Sequence, residues 1–129
     1  MFTGAHVLLY SKDSDADRAF FKDVLEFPAV DAGHGWLIFR LPPSEMALHP
    51  SDDKGNTPDG EDPLLRGDLF MMCDDVRTVI ARLEAKQVVC APVVQERWGL
   101  RTSIRLPSGA ALGVYQPSHP TAHDAAART

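Results

Sequence analysis

The chain writes one pattern twice, and a repeat constrains the fold more than any other feature, because both copies must adopt the same supersecondary unit. Residues 6–13, HVLLYSKD, fall on residues 68–75, DLFMMCDD, at an offset of about 62. Each is an apolar run ending in Asp. Further on, FRLP at 39–42 matches IRLP at 104–107 at an offset of about 65, a drift that loop insertions produce. Both copies continue through a small polar turn into an apolar run that ends in Pro-Ser.

The aspartates mark helix starts. Asp13 and Asp75 stand where an N-cap accepts hydrogen bonds from free backbone N–H groups. After Asp75, Val76, Val79, Ile80 and Leu83 recur at helical spacing. After Asp13, Ala16, Ala19, Phe20, Val24 and Phe27 do nearly the same. Each half therefore reads strand, helix, strand, strand, strand. The first half, about 3–50, predicts a strand over 3–11, a helix over 14–26, and strands over 28–32, 35–41 and 45–49. A connector rich in Gly, Pro, Asp and Asn spans about 51–65. The second half, about 66–117, predicts a strand over 66–73, a helix over 75–87, and strands over 88–95, 100–106 and 111–116. Residues 118–129 carry little to bury and are expected to fray.

The fold class is thus α+β: two βαβββ modules in a single domain. One helix shields only one face of four strands. Two modules side by side give a curved mixed sheet enclosing a cup, with the helices outside and a ligand within. The 129 residues suffice for one core. A net charge of −5 without a basic cluster argues against nucleic acid or an anionic membrane as partner. No apolar run approaches the roughly 18 residues of a membrane helix, and the N-terminus lacks the marks of a signal peptide. A cytoplasmic setting is expected, with Cys73 and Cys90 as reduced core thiols.

Three stretches resemble the vicinal oxygen chelate superfamily, also called the glyoxalase/bleomycin resistance protein/dioxygenase group. HVLLYSKDSDADRAFFKDVLEF is similar to its opening strand and helix, CDDVRTVIARLEAKQV to its second helix, and WGLRTSIRLPSGAALGVYQP to its closing strands. The resemblance covers roughly residues 4–117. It implies four metal-ligand positions, one on the first and one on the last strand of each half: His6, Ala47, Asp68 and Gly113. Ala47 and Gly113 have no donor atom, and His6 with Asp68 supplies at most two ligands where three or four are needed. Small residues at both positions speak for space inside the cup. A displaced site from His6, Glu45, His49 and Asp68 has suitable atoms but requires a shift of about 7 Å along the strand.

Side chains alternate across a strand. Phe39, Leu41, Ile104 and Leu106 are therefore predicted under the helices, which turns Arg40 and Arg105 into the cup. Trp36 and Ile38 share the face of Arg40. Met46, Leu48, Leu112 and Val114 are expected against the helices, leaving Glu45, Ala47 and His49, and Ala111, Gly113 and Tyr115, inward. The resemblance adds His6, Leu8, Tyr10, Asp68, Phe70 and Met72 to the inner face. Trp98 is either a rim residue closing over a ligand or an anchor for its own loop. The lining is mostly apolar, and the arginine forks suit a carboxylate or phosphate. The rival reading has Arg40 and Arg105 neutralised by Glu45 and Asp68.

Other templates fail. No phosphate-binding loop with its Lys is present, no nucleophile elbow exists, and His34, His119 and His123 sit in a turn and in the tail. The resemblance implies a homodimer and, without the metal, a binding protein of bleomycin-resistance type rather than an enzyme. No cofactor is expected, and the ligand is a small organic molecule with anionic or aromatic character. The alternative is a divalent-metal-dependent lyase, isomerase or dioxygenase-like enzyme using the displaced site.

Overall fold

A computed structural model describes residues 1–50 and 64–124. Most of the polar connector and the end of the tail lie outside the described residues. The element order is α1 (Ser14–Asp23), β1 (Ala29–Asp31), β2 (Leu37–Phe39), β3 (Phe70–Met72), α2 (Val76–Ala85), β4 (Val94–Glu96), β5 (Gly99–Arg105) and β6 (Ala111–Pro117), followed by a 3-10 turn at Ala122–Asp124. No helix among the described residues is long and apolar enough to cross a membrane.

Both predicted caps form. The Asp13 carboxylate accepts from the Ala16 N–H at 3.2 Å, and that of Asp75 from Arg77 and Thr78 at 3.0 and 3.3 Å. The chain leaves each helix through a left-handed residue, Glu26 (φ 58°) in one copy and Gln87 (φ 64°) in the other. The Lys86 ammonium donates to the Val24 carbonyl at 3.0 Å and ties the two helix ends together.

The second half completes its βαβββ unit. Its four strands run in the order β3-β6-β5-β4, with β3 parallel to β6 and the other neighbours antiparallel. Predicted alternation holds along β5 and β6: Thr102, Ile104, Leu112 and Val114 are buried, while Arg101, Ser103, Arg105 and Gly113 occupy the other face. Gly99 makes the β4–β5 turn, where a Cβ would run into the Gln116 carbonyl. The core joins Ile104, Leu112 and Val114 to Val76, Leu83 and Val88, and it receives Phe20 from α1. The first half thus lends its helix to the second half's sheet. Asp17, only 6 % exposed, fixes this junction by accepting from the Ser108 N–H at 3.0 Å and the Ser11 hydroxyl at 2.7 Å.

The first half departs from expectation. Its β1–β2 hairpin forms around the Gly33-His34-Gly35 turn, with Asp31 accepting from both glycine N–H groups. Phe39 packs inward on Phe21 at 5.8 Å, as predicted. The strands predicted over 3–11 and 45–49 do not form. Among the described residues no backbone hydrogen bond holds 1–10 or 45–49. Val7, Leu8, Leu9 and Tyr10 are exposed, as are Met46 and Leu48, which were expected under a helix. A strand is stable only beside a neighbour that takes up its backbone groups, and among the described residues these segments have none. The sheet is consequently in two pieces, a hairpin and a four-stranded sheet.

Candidate functional site

A cleft of about 940 Å³ opens between the N-terminal segment, α1, the hairpin and residues of β3, β5 and β6. Trp36, Ile38 and Arg40, the exposed face of the hairpin's second strand, line the cleft, and so do Leu37, Phe39 and Leu41 of the opposite parity. His6, Leu8 and Tyr10 line it from the N-terminal segment, and Asp68 and Phe70 from the approach to β3. Arg101 and Ser103 add polar groups from β5. The Arg18 guanidinium lies 4.2 Å from the ring centre of Trp36 and also pairs with Asp15 at 2.9 Å. It covers one face of an indole that is still 60 % exposed. The helical pattern marked α1 as a packing element, which is why Arg18 was missed.

The expected ion pairs do not form. Among the described residues Arg40 and Arg105 have no carboxylate partner, whereas Arg101 holds Glu96 at 2.8 Å. Glu45 is engaged elsewhere. It accepts from the Tyr115 hydroxyl at 3.2 Å and from the Ala122 N–H at 2.6 Å. Burial first, and then the bond to and charge of Glu45, push the Tyr115 phenol above its usual range. Arg105 is exposed on the sheet's inner face but does not line the cleft, and His49 is exposed without a partner among the described residues.

Phe70, Trp98 and Tyr115 meet edge to face, with centroids 4.8–6.0 Å apart. Trp98 is therefore part of an aromatic wall. The Phe70 ring lies across Gly113, its partner in the β3–β6 register, and a Cβ at 113 would run into it. This corrects the reading of Gly113 as open space: the missing side chain makes room for a neighbouring ring. The sequence holds a signal for it, since Phe70 and Gly113 both fall on the inner face.

The metal pattern does not fit. Ala47 and Gly113 bring no donor, and a phenyl ring fills the space over the latter. Among the described residues no three His, Cys, Asp or Glu side chains stand close enough to hold an ion. The displaced set is not assembled: His6 and Asp68 face the cleft, Glu45 turns to Tyr115 and Ala122, and His49 points to neither. The thiols are poor nucleophiles. Burial and the charges of Asp74 and Asp75 push Cys73 up, and burial and Glu84 push Cys90 up.

Sequence comparison matches no family model and no curated protein. Comparison of structures finds relatives over most of the chain. An antibiotic-binding protein, TnmS3 from Streptomyces sp. CB03234, shares 24 % identity over 92 % of this chain and 100 % of its own, at a TM-score of 0.55. Lactoylglutathione lyase from Agrobacterium tumefaciens shares 20 % over 88 % of this chain and 93 % of its own, at 0.59. A glyoxalase family protein from Enterococcus faecalis shares 20 % over 88 % of this chain and 98 % of its own, at 0.56. Together with the repeat, the paired caps and the β3-β6-β5-β4 sheet, these likenesses show that the chain has the fold of the glyoxalase proteins, the one its resemblance to the vicinal oxygen chelate superfamily implied.

Proposed function

We propose that this protein binds a small organic anion in the cleft without a metal, as a sequestering protein of bleomycin-resistance type. The observation that carries the reading is Arg40: a guanidinium on the cleft wall with no ion-pair partner among the described residues. An unpaired Arg fork is shaped for a carboxylate or phosphate. Trp36 and Phe70, on the same cleft, offer flat apolar surface to the rest of the ligand. The antibiotic-binding protein from Streptomyces shares this fold and makes antibiotics the first class to screen. Calorimetry against a panel of aromatic carboxylates and antibiotics tests the reading. Arg40→Ala is expected to weaken binding of the anionic members about tenfold or more, in line with a lost charge-assisted bond. Equal binding by wild type and variant, or no preference for anions, removes it.

The working unit in this reading is a homodimer. Two apolar segments, 4–10 and 45–49, have no backbone hydrogen bonds among the described residues and expose Leu8, Leu9, Met46 and Leu48. Such segments are templates for pairing with another chain, and a second copy supplies strands of the same pattern. Its setting is the cytoplasm, where two unpaired thiols stay reduced.

A further inference from the structure

Residues 118–124, the described part of the tail, lie against the rest of the chain. The segment is pinned at two places. At one end the Ser118 N–H donates to the Trp98 carbonyl at 2.9 Å. At the other the Ala122 N–H donates to one oxygen of Glu45, whose second oxygen accepts from the Tyr115 hydroxyl. Between the pins the His119 ring lies 6.1 Å from that of Tyr115, with its Nε2 3.3 Å from the phenol oxygen and 3.8 Å from Glu45. The segment therefore crosses the Tyr115 end of the aromatic wall and fastens to the first half of the chain.

We infer that residues 118–124 form a strap over the Tyr115 end of the Phe70–Trp98–Tyr115 wall, with Glu45 as its catch. The catch is a single carboxylate holding both the wall and the strap. The closed strap also carries a penalty, because the Nδ1 of His123 is buried without a partner among the described residues. An unpaired buried nitrogen regains its hydrogen bonds on opening, which keeps closure reversible. Release of Glu45 uncovers Tyr115, loosens the edge-to-face contact it makes with Trp98 at 4.8 Å, and extends the aromatic surface reachable from the Phe70 side of the cleft. The strap's role as a gate rests on the cleft being the ligand site, but the strap itself can be tested without any ligand.

The chain has two tryptophans, so Trp36→Phe leaves Trp98 as the sole reporter on the full-length protein. In that background, Trp98 quenching by acrylamide and hydrogen exchange at the Ala122 amide are measured. Glu45→Ala is expected to speed exchange at Ala122 about ten- to hundredfold, the equivalent of a lost charge-assisted bond, and to raise the quenching constant of Trp98. Ala122→Pro removes the N–H donor while leaving Glu45 in place, at the first residue of a 3-10 turn where the φ that Pro fixes is tolerated, and is expected to raise quenching in the same way. Unchanged quenching in both variants, or an Ala122 amide unprotected in the parent, overturns the strap. Neither measurement involves Arg40 or a ligand, so failure here leaves the anion-binding reading standing, and the reverse holds as well.

Discussion

Replacing Gly113 by Ala tests whether the second sheet's inner face is filled or empty. A methyl group at 113 meets the Phe70 ring. Inserting a methyl into packed space costs about 1–3 kcal/mol, offset by about 0.5–1 kcal/mol because Ala has less unfolded-state freedom than Gly. Phe70 is 40 % exposed, so its ring can swing outward without moving the strand. In doing so it gives up edge contacts with Trp98 and Tyr115, each worth about 0.5–1.5 kcal/mol. The net expectation is a loss of about 1–2 kcal/mol in urea unfolding. In a Phe70→Ala background the obstruction is gone, and the same change should stabilise by about 0.5 kcal/mol. The double-mutant cycle thus predicts a coupling of about 2 kcal/mol between residues 70 and 113. Equal effects of Gly113→Ala in both backgrounds would show that the ring does not sit on the glycine, and the account of the inner face would be wrong.

Asp17 predicts a pH dependence. Burial raises its carboxyl, but the bonds from Ser11 and Ser108 outweigh burial and hold it below the usual range. A depressed value means that its stabilisation is complete above the unfolded value, about 3.9, and is lost as pH falls through the folded value. Asp17→Asn should lose about 1–3 kcal/mol at pH 7, and its urea midpoint should fall less than that of wild type between pH 5 and acid conditions. Identical acid slopes would contradict this. Light scattering of Leu8→Asp should show a smaller species than wild type, because a charge in an unpaired apolar segment opposes pairing with a second copy; unchanged mass would argue against that interface. Cys73 and Cys90 should react slowly with a thiol reagent near pH 8 and quickly in urea, and rapid native labelling of both would refute the raised thiols.

Much of the second half was legible because its signals are local. An N-cap aspartate, helical spacing after it and strict alternation in IRLPSGAALGV each state their own geometry, and all reappear within a residue or two. The turn around His34 was legible for the same reason. The first half carried the same signals over 3–11 and 45–49 but not the same outcome. Apolar content says that a segment can pair, and only a neighbour in space decides whether it does.

The candidate site divides along the same line. Arg40 and Trp36 line the cleft, but so do Leu37 and Phe39 between them, so alternation along the strand does not single them out. That Arg40 has no carboxylate partner among the described residues could not be read locally, because Glu45 contacts Tyr115 and Ala122, residues 70 and 77 positions away. Gly113 shows the difference most plainly. The sequence by itself determined that no carboxylate stands there, and so that the metal pattern is broken. Only the tertiary structure decided what takes the place of the missing side chain, because the parallel pairing of β3 with β6 brings Phe70 across from another part of the chain, and no local pattern records which ring will settle on which glycine.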